Sequence, residues 1–384
     1  MKEGWKIRRL GEVCVSDLGK TLNQAKDTGE LMPYLCSINV QWDRIDLSTV
    51  KKARFERADW ERFSVKKGDL LVCEGGDIGR AAIWEDETPM LYQNALHRIR
   101  FNGSILPRYC LRFLQHLKQA GVLDQTYGKG VTIKHLVKSS LFSIPIPIPP
   151  VGEQEQIVVE LDCLSEVIAK KKKQLEELDK LAQSIFYDMF GDPIANERGW
   201  DYQRLGDVSQ IIGGATPRTQ IEEYWIGDNY WVTPAELHGD RYQGATERTI
   251  SDEAVRRTNV NLLPIGTVLL SSRAPIGKVS ITTVPMYCNQ GFKNIVCSSK
   301  LNNEYVCQAL LCKTEYLNSL GTGATFKEIS KKTTEAIRLA IPPINLQEEF
   351  ATRVIAIEKQ KGFIKKSIVE TETLFNSRMD YWFN

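Results

Sequence analysis

The sequence predicts a duplicated mixed α/β (α+β) protein. Two similar globes are each followed by a long helix, and the two helices pair as an antiparallel coiled coil under a pseudo-two-fold repeat. Three observations predict it: a tandem repeat, two apolar heptad stripes in the same register, and short apolar runs punctuated by Gly, Pro and Asp.

The repeat comes first, because a missed repeat misassigns the whole fold. Trp5-Lys-Ile-Arg-Arg-Leu-Gly-Glu-Val13 recurs as Trp200-Asp-Tyr-Gln-Arg-Leu-Gly-Asp-Val208, offset by 195. Gly68-Asp-Leu-Leu71 and Asp77-Ile-Gly-Arg80 recur as Gly266-Thr-Val-Leu269 and Pro275-Ile-Gly-Lys278, offset by 198. Gly128-Lys-Gly-Val-Thr-Ile-Lys134 returns as Gly321-Thr-Gly-Ala-Thr-Phe-Lys327, and Pro149-Pro150 with Gln154 returns as Pro342-Pro343 with Gln347, both offset by 193. The same order at nearly constant offsets implies a duplicated chain with a globe at 1–148, a helix at 149–192, a second globe at 193–341 and a second helix at 342–384.

Within the globes, Asp69–Cys73, Arg80–Trp84, Thr267–Leu270 and Lys278–Thr282 read as short strands, and Pro107–Gln119 and Asn303–Leu317 as helices. Trp5 and Trp200 open the two copies and read as core anchors. In the first long helix the stripe is Ile157, Leu161, Leu164, Ile168, Leu175, Leu178 and Ile185. In the second it is Phe350, Val354, Ile357, Ile364, Ile368 and Phe375. Lys171 and Lys361 interrupt the two stripes. The Pro-Pro pairs suit first turns, and Phe190-Gly191-Asp192-Pro193 suits a stop. A helix lying only on its own globe would show a similar stripe, but sustained heptads beyond about 25 residues favour a coiled coil. Lys170–Lys173 point all round such a helix and read as a solvated face.

The 384 residues, 42% hydrophobic and 26% charged, are ordinary for a soluble globular protein. No apolar run approaches the roughly 18 to 20 residues that span a bilayer, so membrane insertion is disfavoured. Nine scattered cysteines and four histidines without ligand spacing predict a reducing, cytoplasmic setting and no structural metal. The net charge of +2 is unevenly spread: residues 1–151 carry 23 basic and 17 acidic side chains, while 152–190 carry 5 and 9. A basic face on the first globe is allowed, and a local one suffices to bind nucleic acid.

Catalytic signatures are missing. An amino-methyltransferase needs a polar residue before Pro-Pro and an aromatic after it, to hold and stack a flipped base. Ile148-Pro-Pro-Val151 and Ile341-Pro-Pro-Ile344 have neither. Gly128-Lys129-Gly130 lacks the Ser or Thr that a phosphate loop places after its Lys. No nucleophile elbow or carboxylate–histidine spacing stands out. The chain reads as a binding protein, not an enzyme.

The duplicated globes, the Pro149-Pro-Val-Gly-Glu-Gln-Glu-Gln-Ile157 entry, the Phe186-Tyr-Asp-Met-Phe-Gly-Asp-Pro193 exit, the Ser271-Ser-Arg-Ala-Pro-Ile-Gly-Lys278 loop and Asn289-Gln-Gly-Phe292 together resemble the DNA specificity subunit of Type I restriction-modification enzymes. The resemblance covers the whole chain. The first copy departs from the loop, reading Cys73-Glu-Gly-Gly-Asp-Ile-Gly79, and the second departs from the entry, reading Asn345-Leu-Gln-Glu-Glu349. The resemblance implies two target-recognition domains that each read half of a split, double-stranded DNA target. It implies docking of modification (methyltransferase) subunits, two of them, and of ATP-dependent restriction subunits. S-adenosylmethionine, ATP and magnesium would then sit on those partners and no cofactor on this chain.

About 39 helical residues at 1.5 Å rise give a spacer of roughly 58 Å, near 1.7 turns of B-DNA, so two reading heads on such a rod imply two short blocks and an unread gap. The basic and polar tips are the candidate DNA contacts: Arg80 and Lys278 after the Ile-Gly turns, Arg273, and Lys129, Thr132, Lys134, Thr325 and Lys327 around the Gly-x-Gly turns. Lysines suit phosphates and arginine can pair with guanine, although for any one of them taken singly a solvated turn or a partner contact is the favoured reading. A coiled-coil scaffold binding only proteins is the competing reading.

Overall fold

In the computed structural model, which describes residues 4–23, 25–273, 275–323 and 327–384, the sequence repeat becomes a repeat of sheets. One unit comprises residues 1–171 with 367–384, and the other comprises residues 172–366. This division splits each long helix between the units.

In the first unit an antiparallel ladder joins Lys6–Arg9 to Pro145–Ile148, so the two ends of the globe meet beside the start of the first long helix. The main antiparallel sheet runs Cys14–Leu18, Leu96–Phe101, Leu70–Cys73, Ala81–Ile83. A second sheet runs Lys51–Phe55, Glu30–Leu35, Met90–Tyr92, Ser64–Val65. Leu70–Cys73 is buried throughout because it is covered on both sides. Its alternate residues separate as strand geometry requires: Leu70 and Val72 join the core beneath helix Pro107–Gln119, while Leu71 and Cys73 join the core shared with the second sheet.

The second unit repeats the plan. Asp201–Arg204 pairs with Arg338–Ile341, and the main sheet runs Ser209–Gly213, Lys293–Cys297, Val268–Leu270, Val279–Thr282, Tyr242–Gln243. Val268 and Leu270 face one core and Leu269 the other. The four strands expected in the globes are present, each trimmed by a residue or two at its ends. Helix Pro107–Gln119 has the expected bounds. Its counterpart does not run from 303 to 317; it breaks into Asn303–Cys312 and Thr314–Ser319. At the break Lys313 is buried, with Nζ donating to the Arg338 carbonyl at 3.0 Å and the Tyr202 hydroxyl at 3.2 Å. Burial pushes its ammonium down to about 8.

The long helices span Val151–Phe190 and Ile344–Phe383. The prolines stand just ahead of the first turns and not inside them: the Pro150 carbonyl accepts from the Glu153 and Gln154 amides, and the Pro343 carbonyl from those of Leu346 and Gln347. Gly191, at φ 76°, ends the first helix in the left-handed region, where a side chain is strained.

The heptad residues are buried or half-buried, and the helices run antiparallel in both units. In the first unit Arg378 and Trp382 donate to Glu160, and Lys171 donates to the Ser367 and Thr371 hydroxyls at 2.7 and 2.8 Å. In the second, Lys361 donates to Asp179 at 2.6 Å, and Phe186 meets Phe350 with ring centroids 5.6 Å apart. The two polar interruptions of the stripes are therefore bridges between the helices. Burial lowers the Lys361 pKa, but Asp179 and Glu358 outweigh it and hold the ammonium above its ordinary value.

The stripe ends do more than pair. Ile157 and Leu161 enter the first unit's core with Tyr109, Met379 and Phe383, while Phe350 and Val354 enter the second unit's core with Tyr305, Phe186 and Phe190. Each core thus takes the start of one long helix and the end of the other. The ring pair Tyr109–Phe383, at 5.5 Å, has its equivalent in Tyr305–Phe190, at 4.8 Å. Trp5 and Trp200 are half-buried and serve as tethers to the first helix: their indole N–H groups donate to Glu153 Oε2 and the Phe190 carbonyl.

A duplicated amide clamp fixes each helix start. Gln154, fully buried, accepts from the Leu106 amide at 2.9 Å and donates to the Ser104 and Pro149 carbonyls. Gln347 does the same with the Asn302 amide and the Lys300 and Pro342 carbonyls. Leucine in place of Gln154 would leave three backbone groups unpaired, the Pro149 carbonyl in a buried bond and the Leu106 amide and Ser104 carbonyl in part-buried ones, and a fully buried unpaired group costs about 1–3 kcal/mol. Gln154→Leu is therefore expected to lower the first unit's stability by about 1–3 kcal/mol; urea unfolding followed by a probe in that unit checks it, and an unchanged midpoint refutes the clamp.

Candidate nucleic-acid interface

Two glycine turns that are far apart in sequence meet in each unit. In the first, a bridge joins Gly75 to His135, and another closes Lys129 onto His135. In the second, Arg273 bridges to Glu328, and Thr322 closes onto Glu328. The recurring residue types have a steric reason. A Cβ on Gly128 would lie 2.8 Å from Cδ1 of the buried Ile78, and one on Gly321 would lie 2.7 Å from Cδ1 of Ile276. The isoleucine of the Ile-Gly turn packs against the backbone of the Gly-x-Gly turn, and a Cβ there would also press on the Asp124 carbonyl at 2.9 Å in the first copy and on Lys327 Cβ at 3.0 Å in the second, so glycine fits without a shift. Gly130 and Gly323, at φ 107° and 126°, allow the tips to reverse.

The structure sorts the candidate contacts into two groups. Lys129, Thr132, Arg273 and Lys327 are exposed, and Lys134 is half-exposed. Beside them the apolar tips Val131 and Ile133 are 99% and 63% exposed, the former fully open to a partner. Arg80 and Lys278 are not free tips. Arg80 Nη2 donates to the Ser37 carbonyl at 2.7 Å and Lys278 Nζ to the Pro234 carbonyl at 3.0 Å, equivalent bonds in the two copies that hold the Ile-Gly turn to the short 3₁₀ turn opposite. Thr325 lies outside the described residues.

Charges around the turns differ between copies. Glu328 receives Arg273 Nε at 3.0 Å and Lys293 Nζ at 3.2 Å. Burial raises its carboxyl pKa, but these two cations outweigh that and hold it below the usual carboxylate range. In the first unit, burial lifts the Glu74 carboxyl above that range, with His135 opposing it.

Several exposed cations were not singled out from the sequence. Lys51, Lys52 and Arg54 lie on the edge strand of the first unit's second sheet, and a groove of about 450 Å³ lined by Lys52 and Arg54 also touches Asp27, Tyr34 and Gln93. The Lys-Lys-x-Arg spacing was the available signal, since an edge strand lined with lysine is protected from pairing with another chain. Among the described residues no cluster of three His, Cys, Asp or Glu side chains could hold a metal, and no described helix is long and apolar enough to cross a membrane.

Glu328→Gln removes the charge that holds Arg273. Because the folded carboxyl titrates below its unfolded value of about 4.3, the stabilisation is complete above that pH and lost as pH falls through the folded value. Faster amide exchange at Thr322 and at position 328 is expected in the variant at neutral pH, by a few-fold for an ion pair worth up to about 1 kcal/mol; unchanged exchange refutes the role.

Comparison with known proteins gives a consistent likeness. A family model described as the Type I restriction modification DNA specificity domain matches residues 2–180 and again residues 197–372. A putative type I restriction enzyme MjaX specificity subunit from Methanocaldococcus jannaschii is 26% identical over 397 residues, covering 95% of this chain and 91% of that one. A MjaIX specificity subunit from the same organism is 38% identical over 159 residues, but the match spans 40% of this chain and 37% of that relative. Among solved structures, a chain from a study of assembly and conformational transition of the type I R-M system covers all of this chain at TM-score 0.60 and 20% identity. The S subunit from M. genitalium covers 98% at TM-score 0.58 and 14% identity, a likeness of fold.

Proposed function

The chain belongs to the Type I restriction-modification DNA specificity family, and on that premise we propose that each of its two units reads one half of a bipartite double-stranded DNA target. It is a specificity subunit, and a non-catalytic one. The observation that supports two half-sites is the duplication down to individual contacts: both units carry the buried glutamine clamp, the Ile-against-Gly packing and the cation-to-carbonyl bond behind the turn. A framework repeated that closely, with different charges at its tips, fits one task done twice on different bases.

The exposed Lys129 and Lys327 and the half-exposed Lys134 suit phosphates, which position a protein on DNA, and Arg273 suits a phosphate or a guanine edge. The modification subunits, two in number, and the restriction subunits dock on this chain in this reading. S-adenosylmethionine, ATP and magnesium are bound by those partners, and adenine methylation happens there.

Replacing one globe with that of a relative of different specificity is expected to change one block of the target and leave the other. Mapping methylated adenines in cells that carry the variant with its modification subunits checks this, and retention of the parental motif refutes it. Inserting one heptad in each long helix, which lengthens a helix by about 10 Å, is expected to change the unread gap and neither block. The same mapping decides, and an unaltered gap rejects the helices as the spacer.

A further inference from the structure

The second unit holds a cation on an aromatic shelf. Arg248 opens the edge strand Arg248–Ile250, and its guanidinium carbon lies 3.6 Å from the ring centroid of Trp225 and 5.5 Å from that of Trp231. The two indoles meet edge to face at 4.9 Å. Each is pinned through its N–H, Trp225 to the Arg218 carbonyl at 3.3 Å and Trp231 to the Ala215 carbonyl at 3.1 Å. Arg248 is exposed, and among the described residues no hydrogen bond or ion pair engages its guanidinium. Arg241, Arg256, Arg257 and Arg273 of the same unit all meet carboxylates.

This shelf is continuous with the glycine turns. Ala215 bonds through its amide to Cys288, Thr216 donates to Gln290, and the Ser272 amide, next to Arg273, donates to the Gly291 carbonyl. The first unit fills the same ladder position differently: Trp231 faces Arg248, whereas Tyr34 faces Lys51. A lysine is a hydrated point charge, while a stacked arginine offers a planar fork whose edge stays free. Stacking also removes the rotamer freedom that binding would otherwise have to restrict.

We propose that Arg248 reads a guanine in the half-site of the second unit, donating from its fork to O6 and N7 in the major groove, with Trp225 as the positioning residue beneath it. The inference rests on the DNA reading proposed above.

The full chain with its modification subunits, used to select from a library of random-sequence duplexes, tests it. The unaltered protein is expected to enrich two blocks, one containing a guanine that Arg248→Ala ceases to prefer by roughly ten- to a hundredfold, with the other block untouched. Arg248→Lys keeps the charge but not the planar fork; it is expected to lose much of the same preference, its affinity for the guanine-containing duplex falling toward that for other sequences while its binding to those sequences stays unchanged. If both variants keep every base preference, or weaken all sequences uniformly, Arg248 is not a reader and the inference falls alone. If the unaltered protein enriches no two-block motif, the bipartite reading falls and takes the inference with it.

Discussion

A buried amide at the head of each long helix sets the phase of everything that follows it. Gln154 and Gln347 lie in the first turn with no access to water, and each satisfies one backbone N–H and two carbonyls of the chain segments around it. An amide with donors and acceptor all engaged tolerates neither a slip along the helix nor a rotation about its axis, because either would strand polar groups in the core. Once the rotation is fixed, so is the direction in which the heptad stripe faces. Ile157 and Leu161 must point into the core beside Tyr109, and Phe350 and Val354 into the core beside Tyr305.

The two copies diverge where an ion pair can be inverted without moving the backbone. In the first unit Asp43 accepts from Arg112 at 2.6 Å and pairs with Arg108, both on helix Pro107–Gln119. In the second, Arg241 occupies the place of Asp43 and pairs with Glu304 at 3.0 Å on the matching helix, where Gln308 replaces Arg112. Each long helix adds an acid, Asp162 to Arg112 and Glu358 to Arg241. The same two elements are tied with the charges exchanged. A buried pair of this kind contributes little net stability but penalises a mismatched partner heavily, so each globe is matched to its own stretch of helix.

Much of this architecture was legible in the sequence because it depends on periodicity and on residues with a single steric use. The long helices run Val151–Phe190 and Ile344–Phe383, the stripe residues are buried or half-buried, and Gly128 and Gly321 recur where Ile78 and Ile276 lean on them. What was not legible depends on long-range partners. A cation after a glycine turn looks like a solvent-facing tip, yet Arg80 and Lys278 reach carbonyls 43 and 44 residues away. The exchanged ion pairs look like failed matches when the copies are aligned. The break at Lys313 arises where the side chain meets Arg338 and Tyr202, neither of which is near it in sequence. Met379, Phe383, Phe186 and Phe190 were outside the expected packing set because they lie beyond the regular heptads, at helix ends whose burial is decided by the globes.

The way the cores borrow from the helices gives the chain a direction in time. The second unit is one uninterrupted stretch, 172–366, whereas the first needs residues 367–384, with Met379 and Phe383 seated against Tyr109 and Phe113. On a ribosome, the globe made first is therefore the one finished last. Its apolar floor stays uncovered while the later-made neighbour already has every residue of its own core. An early release of the nascent chain that omitted these final turns would spare the second unit's core and leave the first unit's unclosed.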